Sequence, residues 1–247
     1  TLYAGTSDLK VWSINTSTDS ISKISLERSY NPGRVVTLNK LSDGSLLAGT
    51  DIIVFRIRGK NATRGYLGGA VKSVFVSGDT IIVGESIGAF HINNRDLQHI
   101  DTLWHGRTTA VYKKGNNLFV GTLNGLYIGS DQSSAIFAGD LHSALRSKVS
   151  GICEDPAGIT WIATNGNGVV GFKDRRVVEW INKDSGLTSN ICRSIFATAQ
   201  ALWVGTEKGL NKIQVKNGRR AITRFTVSDG LNSNIINAIW ADDTTVY

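Results

Sequence analysis

Six copies of one short pattern divide the chain, and their spacing limits the folds open to it. Ala201-Leu-Trp-Val-Gly-Thr206 recurs as Thr1-Leu-Tyr-Ala-Gly-Thr6, Ser45-Leu-Leu-Ala-Gly-Thr50, Thr80-Ile-Ile-Val-Gly-Glu85, Asn117-Leu-Phe-Val-Gly-Thr122 and Thr160-Trp-Ile-Ala-Thr164. The marker glycine stands at 5, 49, 84, 121 and 205, with an alanine at 163, so successive copies are 44, 35, 37, 42 and 42 residues apart. Repeats of this length belong to propellers or solenoids.

The flanking residues choose between them. Upstream of the marker runs an apolar, any, small, apolar pattern: Val71 to Val74, Thr108 to Val111, Val149 to Ile152, Cys192 to Ile195 and Ile236 to Ile239, with Val35 to Leu38 a looser copy. Small residues suit strands that crowd together, where a large side chain would collide. Turn residues such as Ser42-Asp43-Gly44 and Lys114-Gly115-Asn116 separate the two patterns, as hairpins require. A third run follows the marker, usually opened by glycine, and a more polar fourth covers about 97–103, 177–182 and 222–227. Alternation and β-branched or aromatic content make these strands. Four short antiparallel strands per repeat describe an all-β fold, a β-propeller of four-stranded blades, six in this chain.

The alternative is six blades' worth of a seven-bladed ring. Residues 1–247 read as one propeller domain whose first blade, begun by residues 2–30, is completed by the C-terminal strand at 235–241. Closure is favoured because an unpaired strand edge invites aggregation. The chain has no methionine and opens on Thr1-Leu2-Tyr3, so it reads as an excerpt of a longer protein, and the sequence leaves open whether a targeting segment precedes it.

Composition narrows the function classes. No apolar run approaches the ~18 residues of a membrane span, so no membrane contact is expected of this segment. Cys153 and Cys192 are the two cysteines, too few for a disulfide framework. The 27 Lys and Arg outnumber the 20 Asp and Glu, a net charge of +7 that favours anionic partners. No nucleic-acid motif accompanies that charge, and nucleic acid is not an expected partner.

Catalytic and metal-binding patterns do not emerge. His91, His99, His105 and His142 lack metal-ligand spacing, and calcium loops of alternating Asp are missing, so no metal or cofactor is expected. Asn165-Gly166-Asn167-Gly168 is glycine-rich but precedes strand-like residues rather than a helix, which removes the phosphate-cradle reading. Cys192 and Cys153 fall on opposite faces of innermost strands and read as small buried hydrophobes. Trp161 and Trp203 share one repeat position and read as packing between blades, whereas Trp104 falls in a linker.

Antiparallel order places the loop after each marker and each inter-blade linker on one side. Those segments hold Arg34, Trp104, His105, Arg107, Asn165, Asn167, Asn190, Glu207, Lys208 and Asn234, the candidate ligand-binding residues. Asn, Arg and an aromatic ring suit sugar hydroxyls and carboxylates. The competing reading is that each caps its own turn. The basic run Lys208, Lys212, Lys216, Arg219, Arg220 and Arg224 reads as a solvated rim.

The motifs also carry a resemblance. Asp155…Gly158…Trp161-Ile162-Ala163-Thr164 and Leu202-Trp203-Val204-Gly205-Thr206…Gly209-Leu210-Asn211 resemble the two-component regulator propeller repeat. The linkers Asp184-Ser-Gly-Leu-Thr-Ser-Asn190 and Ser228-Asp-Gly-Leu-Asn-Ser-Asn234 are similar to its inter-blade segment. The likeness covers the whole chain by periodicity and about the last hundred residues by motif. It implies a sensor region on the periplasmic or extracellular side of a bacterial membrane, without catalysis of its own. It further implies an oligosaccharide ligand, neighbouring domains of a longer chain that include a histidine kinase, and a homodimer in the full-length protein. The alternatives are a protein-docking propeller of a surface or secretion assembly, and a propeller sugar lyase or hydrolase.

Overall fold

At the marker position two facing strands share one small space. The paired residues are Thr37 and Gly49, Ser73 and Gly84, Gly151 and Ala163, and Ser194 and Gly205. One member of each pair is glycine, because the chain that follows the sheet packs onto it. A Cβ on Gly49 would lie 2.7 Å from Cγ1 of Val71, and one on Gly205 would lie 2.7 Å from Cγ2 of Ile236. The residue marked "any" in the upstream pattern is a β-bulge: the register slips at Val36, Lys72, Ser150 and Arg193. A bulge leaves one residue unpaired and bends its strand.

A computed structural model describes residues 1–26, 33–51, 53–65, 68–130, 132–216, 219–242 and 245–247, without the side chains of 215, 216 and 219. Six sheets follow one another in chain order. The first holds β1 (Leu2–Gly5), β2 (Lys10–Asn15) and β3 (Ser20–Ser25). The second holds β4 (Val35–Lys40), β5 (Leu46–Thr50), β6 (Val54–Arg58) and β7 (Asn61–Arg64). The third holds β8 (Val71–Ser77), β9 (Thr80–Glu85), β10 (Gly88–Ile92) and β11 (His99–His105). The fourth holds β12 (Ala110–Lys114), β13 (Asn117–Thr122), β14 (Gly125–Gly129) and β15 (Ile136–Phe137). The fifth holds β16 (Val149–Glu154), β17 (Thr160–Thr164), β18 (Val169–Lys173) and β19 (Arg176–Ile181). The sixth holds β20 (Cys192–Ala197), β21 (Leu202–Thr206), β22 (Gly209–Lys216) and β23 (Arg219–Phe225).

Each sheet is an antiparallel meander, and the fold class is an all-β propeller of six blades. Helical structure among the described residues is limited to 3-10 turns at Ala138–Asp140, Ser143–Arg146 and Val227–Asp229. The chain forms two compact units, residues 1–115 with 131–133, and residues 116–130 with 134–247.

The second strand of each of the last five sheets carries an unbroken apolar run because both its faces are covered. In the first unit, Leu46 and Ala48 of β5 join Val11, Ile24 and Phe55 in one cluster, while Leu47 joins Val71, Ile81 and Ile92 in another. In the second unit, Trp161 of β17 packs with Leu187, Leu202 and Ile213, and Trp203 of β21 packs with Leu210 and Ala241. Trp161 therefore fills space between the fifth and sixth sheets, and Trp203 fills space between the sixth sheet and the C-terminal segment. Serines tie first strands to the chain that follows: Ser150 Oγ donates to the Cys192 carbonyl of β20 at 2.7 Å, and Ser194 Oγ donates to the Ile236 carbonyl beyond the sixth sheet at 3.1 Å.

The last strand of the third sheet runs two residues further than the sequence pattern indicates. Trp104 lies in β11, paired with Ala89 and buried, instead of in a linker. Its flanks alternate poorly because the strand carries two register shifts. At the C-terminus, Trp240 and Tyr247 exchange backbone hydrogen bonds of 3.1 and 2.8 Å, and Ala241 bridges Val246. β1 is an edge of the described first sheet, and residues 27–30, expected to end that blade, lie outside the described residues.

Candidate ligand-binding loops

The marker threonine builds the loop that follows it. Thr206 Oγ1 donates to the Gly209 carbonyl at 2.9 Å and accepts the Lys208 N–H at 3.0 Å. Thr50 does the same with Ile53, at 2.7 and 3.0 Å, and Thr164 with Gly168 and Asn167, at 2.8 and 3.1 Å. Each loop is thus clamped at its root, which holds the residues at its tip in fixed positions.

The asparagines are spent on that scaffold. Asn190 Oδ1 accepts the Lys183 N–H at 2.7 Å, and Asn234 Oδ1 accepts the Val227 N–H at 2.9 Å, the same contact in two successive linkers. Asn167 Nδ2 donates to Ser147 Oγ at 2.6 Å. The exposed Asn165 bridges Ile191 through its backbone, and Glu207 accepts a hydrogen bond from Ser189 Oγ at 3.2 Å. The linker ahead of the sixth sheet is fastened further by Thr188, which shares 2.8 Å with Thr206 Oγ1 and accepts from Asn211 Nδ2 at 2.9 Å.

The cationic candidates differ. Arg34 pairs with Asp51 at 3.1 Å, and Lys72 stands 4.0 Å from the same carboxylate. His105 is fixed by its backbone, whose N–H donates to Gln132 Oε1 at 3.0 Å. Arg107 and Lys208 are exposed and form no ion pair among the described residues. In the second unit the loop side also carries the exposed pair Arg193 and Asn237, joined at 2.8 Å, which the sequence reading missed. Arg193 is the bulge residue of β20, a position the repeat leaves variable.

Part of the basic run is occupied. Lys212 sits 5.1 Å above the Trp203 ring, Arg220 pairs with Glu179, and Arg224 Nε donates to the Gly186 carbonyl at 2.6 Å. The side chains of Lys216 and Arg219 lie outside the described residues. Burial pushes the Cys192 thiol up to about 12 and raises that of Cys153 as well, so neither forms a thiolate readily near neutrality. Among the described residues no group of three or more His, Cys, Asp or Glu could hold a metal ion.

Solved structures share this architecture. The extracellular domains of two hybrid two-component systems of B. thetaiotaomicron match at TM-scores of 0.65 and 0.55, with 15% and 18% identity. The matches cover 89% and 96% of this chain and 36% and 40% of theirs, so the chain spans well under half the length of either. Virginiamycin B lyase from Staphylococcus aureus matches at a TM-score of 0.70 with 14% identity, over 96% of this chain and 82% of the lyase. The shared property is the fold. No family model and no curated protein matches the chain.

Proposed function

We propose that the chain is the ligand-binding propeller of an extracytoplasmic two-component sensor, without catalysis of its own, and that it recognises a small acidic carbohydrate. The observation that carries this reading is the pair of matching linkers ending in Asn190 and Asn234. They are the segments that resemble the two-component propeller repeat, and each spends its asparagine on holding a linker rigid. The likeness in fold to extracellular domains of hybrid two-component systems supports it. Each unit carries an exposed cation in one of the candidate segments, Arg107 in the first and Lys208 in the second, and either suits an anion decorated with hydroxyl groups. A ligand would act by binding one arrangement of the propeller and its neighbouring domains better than another.

The test is titration calorimetry of the chain against neutral and acidic oligosaccharides, repeated with Arg107→Ala and Lys208→Ala. Saturable binding weakened by either substitution is the expected result. A panel that gives no binding removes the sensor reading. Shortened or unsaturated products in the same mixtures would move the chain to the lyases, whose fold it shares.

A further inference from the structure

One concavity of the second unit is lined by none of those candidate residues. It is a groove of about 510 Å3 between β19 and the segment that joins β15 to β16. Leu141, Val178 and Trp180 line it and are 46%, 42% and 42% exposed, so apolar surface stands open to water there. Other last strands expose apolar side chains singly, as Ile21 of β3 at 62% and Ile100 of β11 at 51%, whereas here three stand around one concavity.

The aromatic wall is held in place. Trp180 Nε1 donates to the Asn167 carbonyl at 2.7 Å, and the His142 ring meets the indole edge-on at 5.1 Å and 67°. The polar end of the indole is already satisfied, so what it offers is a fixed ring face. His142 Nδ1 accepts the Ala144 N–H at 3.2 Å, which leaves Nε2 of the neutral ring as a hydrogen-bond donor.

Charge gathers at one end. Asp174 and Arg175 form the two-residue turn between β18 and β19 with φ of 49° and 62°, where glycine is the usual second residue. The chain keeps an arginine in that backbone conformation, next to Arg176. Neither arginine forms an ion pair among the described residues. Glu179, the one carboxylate in the lining, is neutralised by Arg220.

The same geometry disfavours two other kinds of occupant. Phe172 pairs with Val177 and Gly171 with Glu179, so Val178 is an extra residue that interrupts the outer edge of β19. An interrupted edge is a poor template for an added strand, which disfavours an extended peptide. The groove covers only one face of an occupant. An aromatic acid would leave its second face in water, whereas a sugar ring has one apolar face and a rim of hydroxyl groups that stay solvated.

We infer that this groove binds a carboxylated sugar ring, a uronic acid unit, with its apolar face on Trp180. The carboxylate meets Arg175 and Arg176, and a hydroxyl accepts from His142 Nε2. The inference takes its carbohydrate class from the sensor reading and its location from the groove alone.

Titration calorimetry with tri-galacturonate and with a neutral galactose trisaccharide tests it. Wild type is expected to bind the acidic probe, and Trp180→Ala to weaken it by about tenfold or more. Trp180→Phe keeps a ring face and is expected to retain binding within about threefold, which guards against mere loss of folding. Arg175→Gln with Arg176→Gln is expected to erase the preference for the acidic over the neutral probe. Binding lost only in Arg107→Ala and Lys208→Ala would overturn the groove and leave the sensor reading standing. Binding lost only in the groove variants would remove the loop site and keep the groove. Failure of the acidic probe to bind, or binding of that probe unchanged in Trp180→Ala, overturns the inference.

Discussion

Glu85 is where one repeat departs from the device used by the others. Thr6, Thr50, Thr122, Thr164 and Thr206 each donate to a carbonyl three or four residues on. A glutamate carboxylate has no proton to donate to that carbonyl. Glu85 instead reaches back to accept the Gly69 N–H, with Ser86 Oγ accepting the Ala70 N–H at 3.2 Å beside it. Its side chain is buried, and desolvation raises its pKa above the ordinary 4.5, opposed in part by the Gly69 bond. An acid whose folded pKa is raised holds its proton more tightly in the folded state. Its favourable contribution is complete below 4.5 and is lost as pH rises through the folded value. Glu85→Gln keeps an acceptor for Gly69 and carries no charge. Melting temperatures from pH 4 to pH 8 should show it more stable than wild type at the neutral end and similar at the acid end. A parallel pair of curves would mean that Glu85 does not titrate in this window.

At the scale of the strand pair, volume is conserved and identity is not. Gly151 faces Ala163 in the fifth sheet, and Ser194 faces Gly205 in the sixth, so the glycine can stand on either strand. A Cβ on Gly205 would lie 2.3 Å from Ser194 Oγ as well as 2.7 Å from Ile236. Gly205→Ala should therefore cost about 1–3 kcal/mol of stability, the usual range for overpacking. Adding Ser194→Gly recreates the arrangement of the fifth sheet and should recover part of that loss in denaturant titrations; a strictly additive double variant would refute shared space as the cause. The markers made blade number and strand order legible, because strands buried on both faces must repeat an apolar run. The bulge at the "any" position was not legible, since any residue tolerates it and it leaves no compositional trace. Trp104 was misplaced for a related reason: the register shifts in β11 break the alternation that marks a strand end. The groove at Trp180 was hidden because its residues are local exceptions to the repeat, and His142 and Leu141 come from a segment that no other repeat contains.

Over the whole chain, charge and fold act on a ligand at different ranges. A net charge of +7 raises the local concentration of any anion, but fields from exposed side chains fade within about 10 Å at 0.1 M salt. Selectivity for the proposed acidic ligand would then come from cations that form no ion pair among the described residues, such as Arg107, Lys208, Arg175 and Arg176, because ion-paired residues such as Arg34 and Arg220 present little net field. Affinity for an acidic oligosaccharide should accordingly fall several-fold between 50 and 300 mM sodium chloride, on the order of the screening expected for two exposed contacts. Affinity for a neutral oligosaccharide of the same length should hardly change. Calorimetry at three salt concentrations separates the two outcomes. Equal salt dependence for both sugars would show that the charge of the chain acts on something other than the ligand carboxylate, and a salt-independent acidic ligand would place its binding on hydroxyl contacts alone.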